Sequence, residues 1–117
     1  MEDYVANIAL SSLLGGLAFA GMGLVMYYYP PRKINGLYGY RTGSSMKSQE
    51  RWDFAQRYCA VQAMKIAAIM ILLSLLIYFF PMDVAVKQFL GIFVVLISTA
   101  YLLYSTEAAI KKQFKKL

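Results

Sequence analysis

Histidine is absent from this 117-residue chain, and cysteine occurs once. Without an imidazole there is no His-based catalytic triad and no Cys/His zinc cluster, and a single thiol forms no internal disulfide. Charge is also scarce, at 15% of residues, where an ordinary soluble domain carries about 25%. Acids are the rarest charges, six against twelve Lys plus Arg, which leaves a net charge of +6. That excess does not gather into one patch but alternates with apolar runs, so a nucleic-acid partner is not expected. No nucleophile–base pair and no metal-ligand set is visible, so the sequence predicts neither an enzyme nor a bound metal or cofactor.

What the chain has in quantity is apolar. Hydrophobic residues make up 60% of it, and mean hydropathy is +0.52. A chain this short has too much surface per volume to hide that much apolar side chain in its own core, so lipid is the expected solvent. Three apolar stretches stand out, at about 5–29, 61–80 and 88–106. A spanning helix needs roughly 20 predominantly apolar residues, and helix is demanded because an isolated strand cannot satisfy its backbone in hydrocarbon. The sequence therefore predicts an all-α integral membrane bundle of three transmembrane helices, one domain over 1–117, with a connecting loop at 30–57. Ala18-Phe19-Ala20 has the form of a signal cleavage site. The start Met1-Glu2-Asp3 is acidic, however, and the apolar run continues past it, which argues against a cleaved signal.

Orientation follows from the basic residues. The loop at 30–57 carries Arg32, Lys33, Arg41, Lys47, Arg51 and Arg57, and the tail carries Lys111, Lys112, Lys115 and Lys116. The second connection carries only Lys87, and no basic residue precedes the first span. The positive-inside rule then places the N-terminus outside and the loop and C-terminus in the cytoplasm of a plasma-membrane protein. Aromatic residues fit that layout. Tyr27, Tyr28, Tyr29, Tyr58, Tyr101 and Tyr104 collect at the inner interface, and Tyr4, Tyr78, Phe79, Phe80 and Phe89 at the outer one.

Several features are candidates for interaction. Ser12, Gly16, Ala20 and Gly23 put small residues on one face of the first helix, suited either to packing within the chain or to a homo-oligomer seam. Lys65 interrupts an apolar run near the inner boundary. It either snorkels to the headgroups or forms an intramembrane ion pair with Glu107 at the same depth. In the loop, Pro30 and Pro31 stop the first helix, Asn35-Gly36 signals a turn, and Gly39 and Gly43 permit tight bends. Ser44 or Ser45 is placed to cap a helix from about Met46 that runs into the second span. On that helix Asp53 and Arg57 stand four apart, and Trp52, Ala55 and Cys59 share a face directed at the interface or at the tyrosine-rich loop. Cys59 reads as a small apolar contact. Glu50 and Asp53 are one turn apart but have no third ligand. The loop arginines suit phosphate, and lipid headgroups are the nearest source.

The loop carries a pattern: Pro31, Lys33 and Asn35, then Tyr38-Gly39-Tyr40-Arg41-Thr42, Ser45, and Trp52 with Ala55. In this pattern, and in the order apolar span, loop, two spans, the chain resembles the SdpI family of small bacterial membrane proteins. Gly43 stands where the family often has Pro after Arg-Thr, and Gln56 where it often has Asn. The resemblance implies the three-span fold and a role in immunity, because the member that gives the family its name protects its producer from a secreted membrane-active peptide toxin and is implicated in holding a transcriptional repressor at the membrane. The leading expectation is thus a non-enzymatic protein that protects the membrane from a peptide toxin. In it the spans face the peptide, and Asn35, Tyr38, Gly39, Tyr40, Arg41, Thr42 and Trp52 form the interaction loop. The alternatives are a small oligomeric transport or lipid-interacting protein, and a membrane module that sequesters a soluble regulator.

Overall fold

The computed structural model describes residues 10–114. The acidic start, Tyr4 and the tail residues Lys115 and Lys116 lie outside the described residues, as does the beginning of the first expected span. Three helices make up the described chain: α1 Leu10–Tyr28, α2 Gln49–Phe79 and α3 Val84–Gln113. No strand occurs among the described residues. The fold is all-α, and all three helices are long and apolar enough to cross a membrane.

Each boundary has a local cause. The amide of Tyr29 makes the last helical bond of α1, to the Val25 carbonyl at 2.7 Å, and Pro30 and Pro31 supply no N–H to continue it. At the start of α2 it is Ser48 that caps, accepting from the Arg51 amide at 3.1 Å. This corrects the expectation that Ser44 or Ser45 would do so three or four residues earlier. Both serines are engaged in the turn that precedes the helix, as described below. The α2 helix ends where the Phe80 amide bonds back to the Ile77 carbonyl, just before Pro81.

The central element is α2. Its buried residues include Trp52, Ala55, Cys59, Ala63, Ile66, Met70, Ser74 and Ile77, a stripe that returns every three or four positions, as a helix requires. Near Trp52 the stripe is built from small residues, and α1 meets it with glycines. A Cβ on Gly23 would lie 2.9 Å from the Ala60 carbonyl oxygen, and one on Gly16 would lie 3.2 Å from that of Ala67. The small face of α1 is therefore used within the chain, where close backbone approach gains dispersion contacts that lipid cannot match. Ser12 on the same face donates to the Met70 carbonyl at 3.0 Å.

Outside this seam the helices present Leu14, Leu17, Leu72, Leu75, Phe93 and Leu96 to their surroundings, each about half exposed or more. So continuous an apolar perimeter suits hydrocarbon rather than water. At about 1.5 Å per residue α2 and α3 are each about 45 Å long, whereas the hydrocarbon core is about 30 Å thick. Both helices must project, and because they run antiparallel, the first turns of α2 and the last turns of α3 project together. Gln62 donates to Ser105 at 3.2 Å, and the Phe54 and Phe114 rings meet edge to face at 5.8 Å. This paired overhang is the platform on which the loop sits.

Candidate functional site

Between α1 and α2 the chain makes a series of turns held by side chains. Asn35 organises the first: its carboxamide oxygen accepts from the Leu37 and Tyr38 amides at 2.9 and 2.8 Å, and its nitrogen donates to the Lys33 carbonyl at 2.9 Å. Such an Asx turn is the physical basis of the Asn-Gly signal. The Tyr38 hydroxyl reaches back to the Tyr29 carbonyl at 2.8 Å, and Arg41 donates to the Gly36 carbonyl. These bonds close the loop on itself.

A second set ties the loop to the helices. Gly39 has φ of 109°, the left-handed region that favours glycine. A Cβ there would also fall 2.6 Å from the Gln56 carboxamide oxygen and 2.7 Å from Pro31. The tight approach lets Gln56, fully buried on α2, clasp the Tyr40 backbone from both sides. Its oxygen accepts from the Tyr40 amide at 2.7 Å and its nitrogen donates to the Tyr40 carbonyl at 2.8 Å. One turn earlier, the buried Trp52 indole donates to the Pro31 carbonyl at 2.6 Å. The Trp52, Ala55 and Cys59 face thus lies against the loop and the bundle, not against the membrane interface, and Cys59 is a buried free thiol.

The third tie reaches α3. Glu107 lies beyond the apolar run of that helix, and its carboxylate receives three hydroxyls. Tyr40 and Thr42 donate to Oε2 at 2.6 and 2.7 Å, and Ser44 donates to Oε1 at 2.6 Å. Burial works against the charged carboxyl, but the hydroxyls of Ser44, Tyr40 and Thr42, together with Lys111, outweigh it and hold Glu107 below its ordinary value. The Tyr40 phenol moves the other way, raised first by burial and then by its bond to the Glu107 carboxylate. Ser45, fully buried, completes the turn by accepting from the Thr42 amide at 2.9 Å, with its hydroxyl 3.1 Å from the Tyr40 and Thr42 carbonyls.

Of the two alternatives for Lys65, snorkelling or an ion pair with Glu107, this geometry does not form the pair. Lys65 is exposed on α2, while the Glu107 carboxylate turns towards the loop, where three hydroxyls and the charge of Lys111 stabilise it. Asp53, placed four residues before Arg57, instead accepts from Gln49 at 2.8 Å. The seven loop residues are gathered in one unit, but their parts differ. Gly39, Tyr40, Thr42 and Trp52 face inward and hold the loop, Asn35 shapes its turn, and Arg41 and Tyr38 remain exposed beside Leu37, which is 93% exposed at the tip. Gln56 as a clasp was missed by sequence reasoning, although its place one turn after Trp52 on a buried face was a usable signal. No group of three or more metal-ligating side chains occurs among the described residues.

Comparison with known proteins places this unit. A family model described as the SdpI/YfhL protein family matches residues 32–105, most of the loop together with α2 and much of α3. The uncharacterized protein YfhL of Bacillus subtilis (strain 168) is 41% identical over 51 residues, covering 44% of this chain and 46% of that protein. The chain thus aligns with about half the length of this curated relative. No solved structure matches the chain. With the family match covering more than half of the sequence, the chain belongs to the SdpI/YfhL protein family.

Proposed function

We propose that this protein is a non-enzymatic bacterial cell-membrane protein that protects its host against a membrane-active peptide, with the clasped loop on the cytoplasmic side. The observation that carries the reading is the family match over the loop and the two helices it is bonded to. The geometry supports it in kind. The polar side chains of the site are spent on holding a loop shape, with the Glu107 carboxylate taken up by three hydroxyls. A shape held this firmly, with Arg41, Tyr38 and Leu37 outermost, suits recognition by surface rather than turnover of a substrate. The lipid-facing helices supply the face that a peptide within the bilayer would meet.

The test is survival. Cells sensitive to a secreted membrane-active peptide are given the chain, and their killing curve is compared with that of an empty vector. Protection is expected, and it should weaken in Arg41→Ala at unchanged protein level. An identical curve with and without the chain counts against immunity and leaves capture of a soluble regulator by the loop as the reading to test next.

A further inference from the structure

Where α1 ends and α2 begins, a cavity of about 480 Å³ opens beside the loop, walled by Met26, Tyr27 and Pro31 and by Arg32, Asp53 and Arg57. Its walls are fixed. The Pro31 carbonyl is held by the Trp52 indole at 2.6 Å, and the Arg32 carbonyl by the Gln49 carboxamide, also at 2.6 Å. Gln49 in turn holds Asp53 at 2.8 Å. Its two cations are free. Arg41 is bonded to the Gly36 carbonyl, and Arg51 stacks on the Phe114 ring at 5.4 Å. The guanidiniums of Arg32 and Arg57, by contrast, have no hydrogen bond or ion pair among the described residues. Two guanidiniums without partners in one lining leave their donors open to an anion, and the planar fork of arginine matches phosphate oxygens. Asp53 brings the lining to a formal net charge of +1 (two Arg less one Asp), which suits a singly charged phosphate diester. The depth agrees: Tyr27 and Tyr28 stand exposed at the end of the apolar run, where aromatic rings mark the headgroup level.

We propose that this cavity holds the phosphate diester of a glycerophospholipid headgroup, with Arg32 and Arg57 on the phosphate and the Met26, Tyr27 and Pro31 wall against the glycerol. The site is independent of any protective role, since none of its walls belongs to the exposed tip of the loop.

The full chain in mild detergent is titrated with short-chain phosphatidylglycerol, and the lipid adduct is read by native mass spectrometry. Arg32→Gln and Arg57→Gln should each weaken the adduct about fivefold, and the double variant about thirtyfold. Lys47→Gln, an exposed cation outside the cavity, should leave it unchanged. An adduct equally strong in the double variant and in Lys47→Gln overturns the assignment. Loss of the adduct on adding inorganic phosphate makes the occupant a free phosphate and overturns the lipid. On the unaltered chain, a headgroup-photoreactive phosphatidylglycerol should crosslink within 26–32 or 53–57, and crosslinks confined elsewhere refute the site whatever the variants do.

Discussion

Gln56 shows how much a single side chain can decide at this site. Both its polar atoms bond to the Tyr40 backbone; the Tyr40 carbonyl also has the Ser45 hydroxyl, but the buried amide has no other partner among the described residues, and leaving it unpaired costs about 1–3 kcal/mol. Gln56→Ala should therefore lower stability in detergent by about 2 kcal/mol. Trp52 is the sole tryptophan and is fully buried under the loop, so its emission reports the loss directly. Titration of the clasp has a definite sign. The Glu107 carboxyl is depressed in the folded state, so its contribution is complete above its ordinary value of 4.5 and is lost as pH falls through the lower folded value. The Tyr40 phenol is raised, so its contribution is complete below its ordinary value of 10.0 and is lost as pH rises through the higher folded value. Thermal midpoints read from Trp52 emission should thus fall at both extremes. Glu107→Gln should flatten the acid limb, and Tyr40→Phe the alkaline one; an acid limb unchanged in Glu107→Gln would show that the carboxylate does not hold the loop.

Among the elements, the α1–α2 seam has the sharpest requirement. Gly23 faces the Ala60 carbonyl and Met64, whereas Gly21 on the same helix has open space around it. Gly23→Ile should separate the helices and destabilise the fold by about 1–3 kcal/mol; Gly21→Ile should not, and the two thermal midpoints compare them. Equal midpoints would mean that the seam is not closely packed. The helices were legible in the sequence because lipid imposes a length and an apolar composition that a window of residues displays directly. The loop's turns were legible at Asn35 and Gly39, where local backbone chemistry names the residue. The partners of Glu107 were not legible. Ser44, Tyr40 and Thr42 stand 63–67 positions away in sequence, and neither periodicity nor charge count says which of two inner-depth groups a carboxylate meets. Charge alone suggested Lys65, but three hydroxyls were nearer. Ser48 displaced Ser44 and Ser45 as the cap for a similar reason: their hydroxyls had stronger uses in the tertiary structure.

For the whole molecule, the loop and the last turns of α3 must share one side of the membrane, because Tyr40, Thr42 and Ser44 are bonded to Glu107. The short connection between α2 and α3 then lies on the other, since both helices are long and apolar enough to cross. We propose, from the basic residues of the loop and tail, that the first of these sides is the cytoplasmic one. Cys59 is buried, so engineered thiols are read with little background. Leu37→Cys places a thiol at the exposed tip of the loop, and Asp83→Cys places one at the α2–α3 connection, where the native side chain makes no capping bond. The decisive measurement applies a membrane-impermeant thiol reagent to intact cells and then to permeabilised ones. Asp83→Cys should react in intact cells and Leu37→Cys only after permeabilisation. Reaction of both in intact cells would contradict a chain whose helices cross the membrane with the basic loop kept inside.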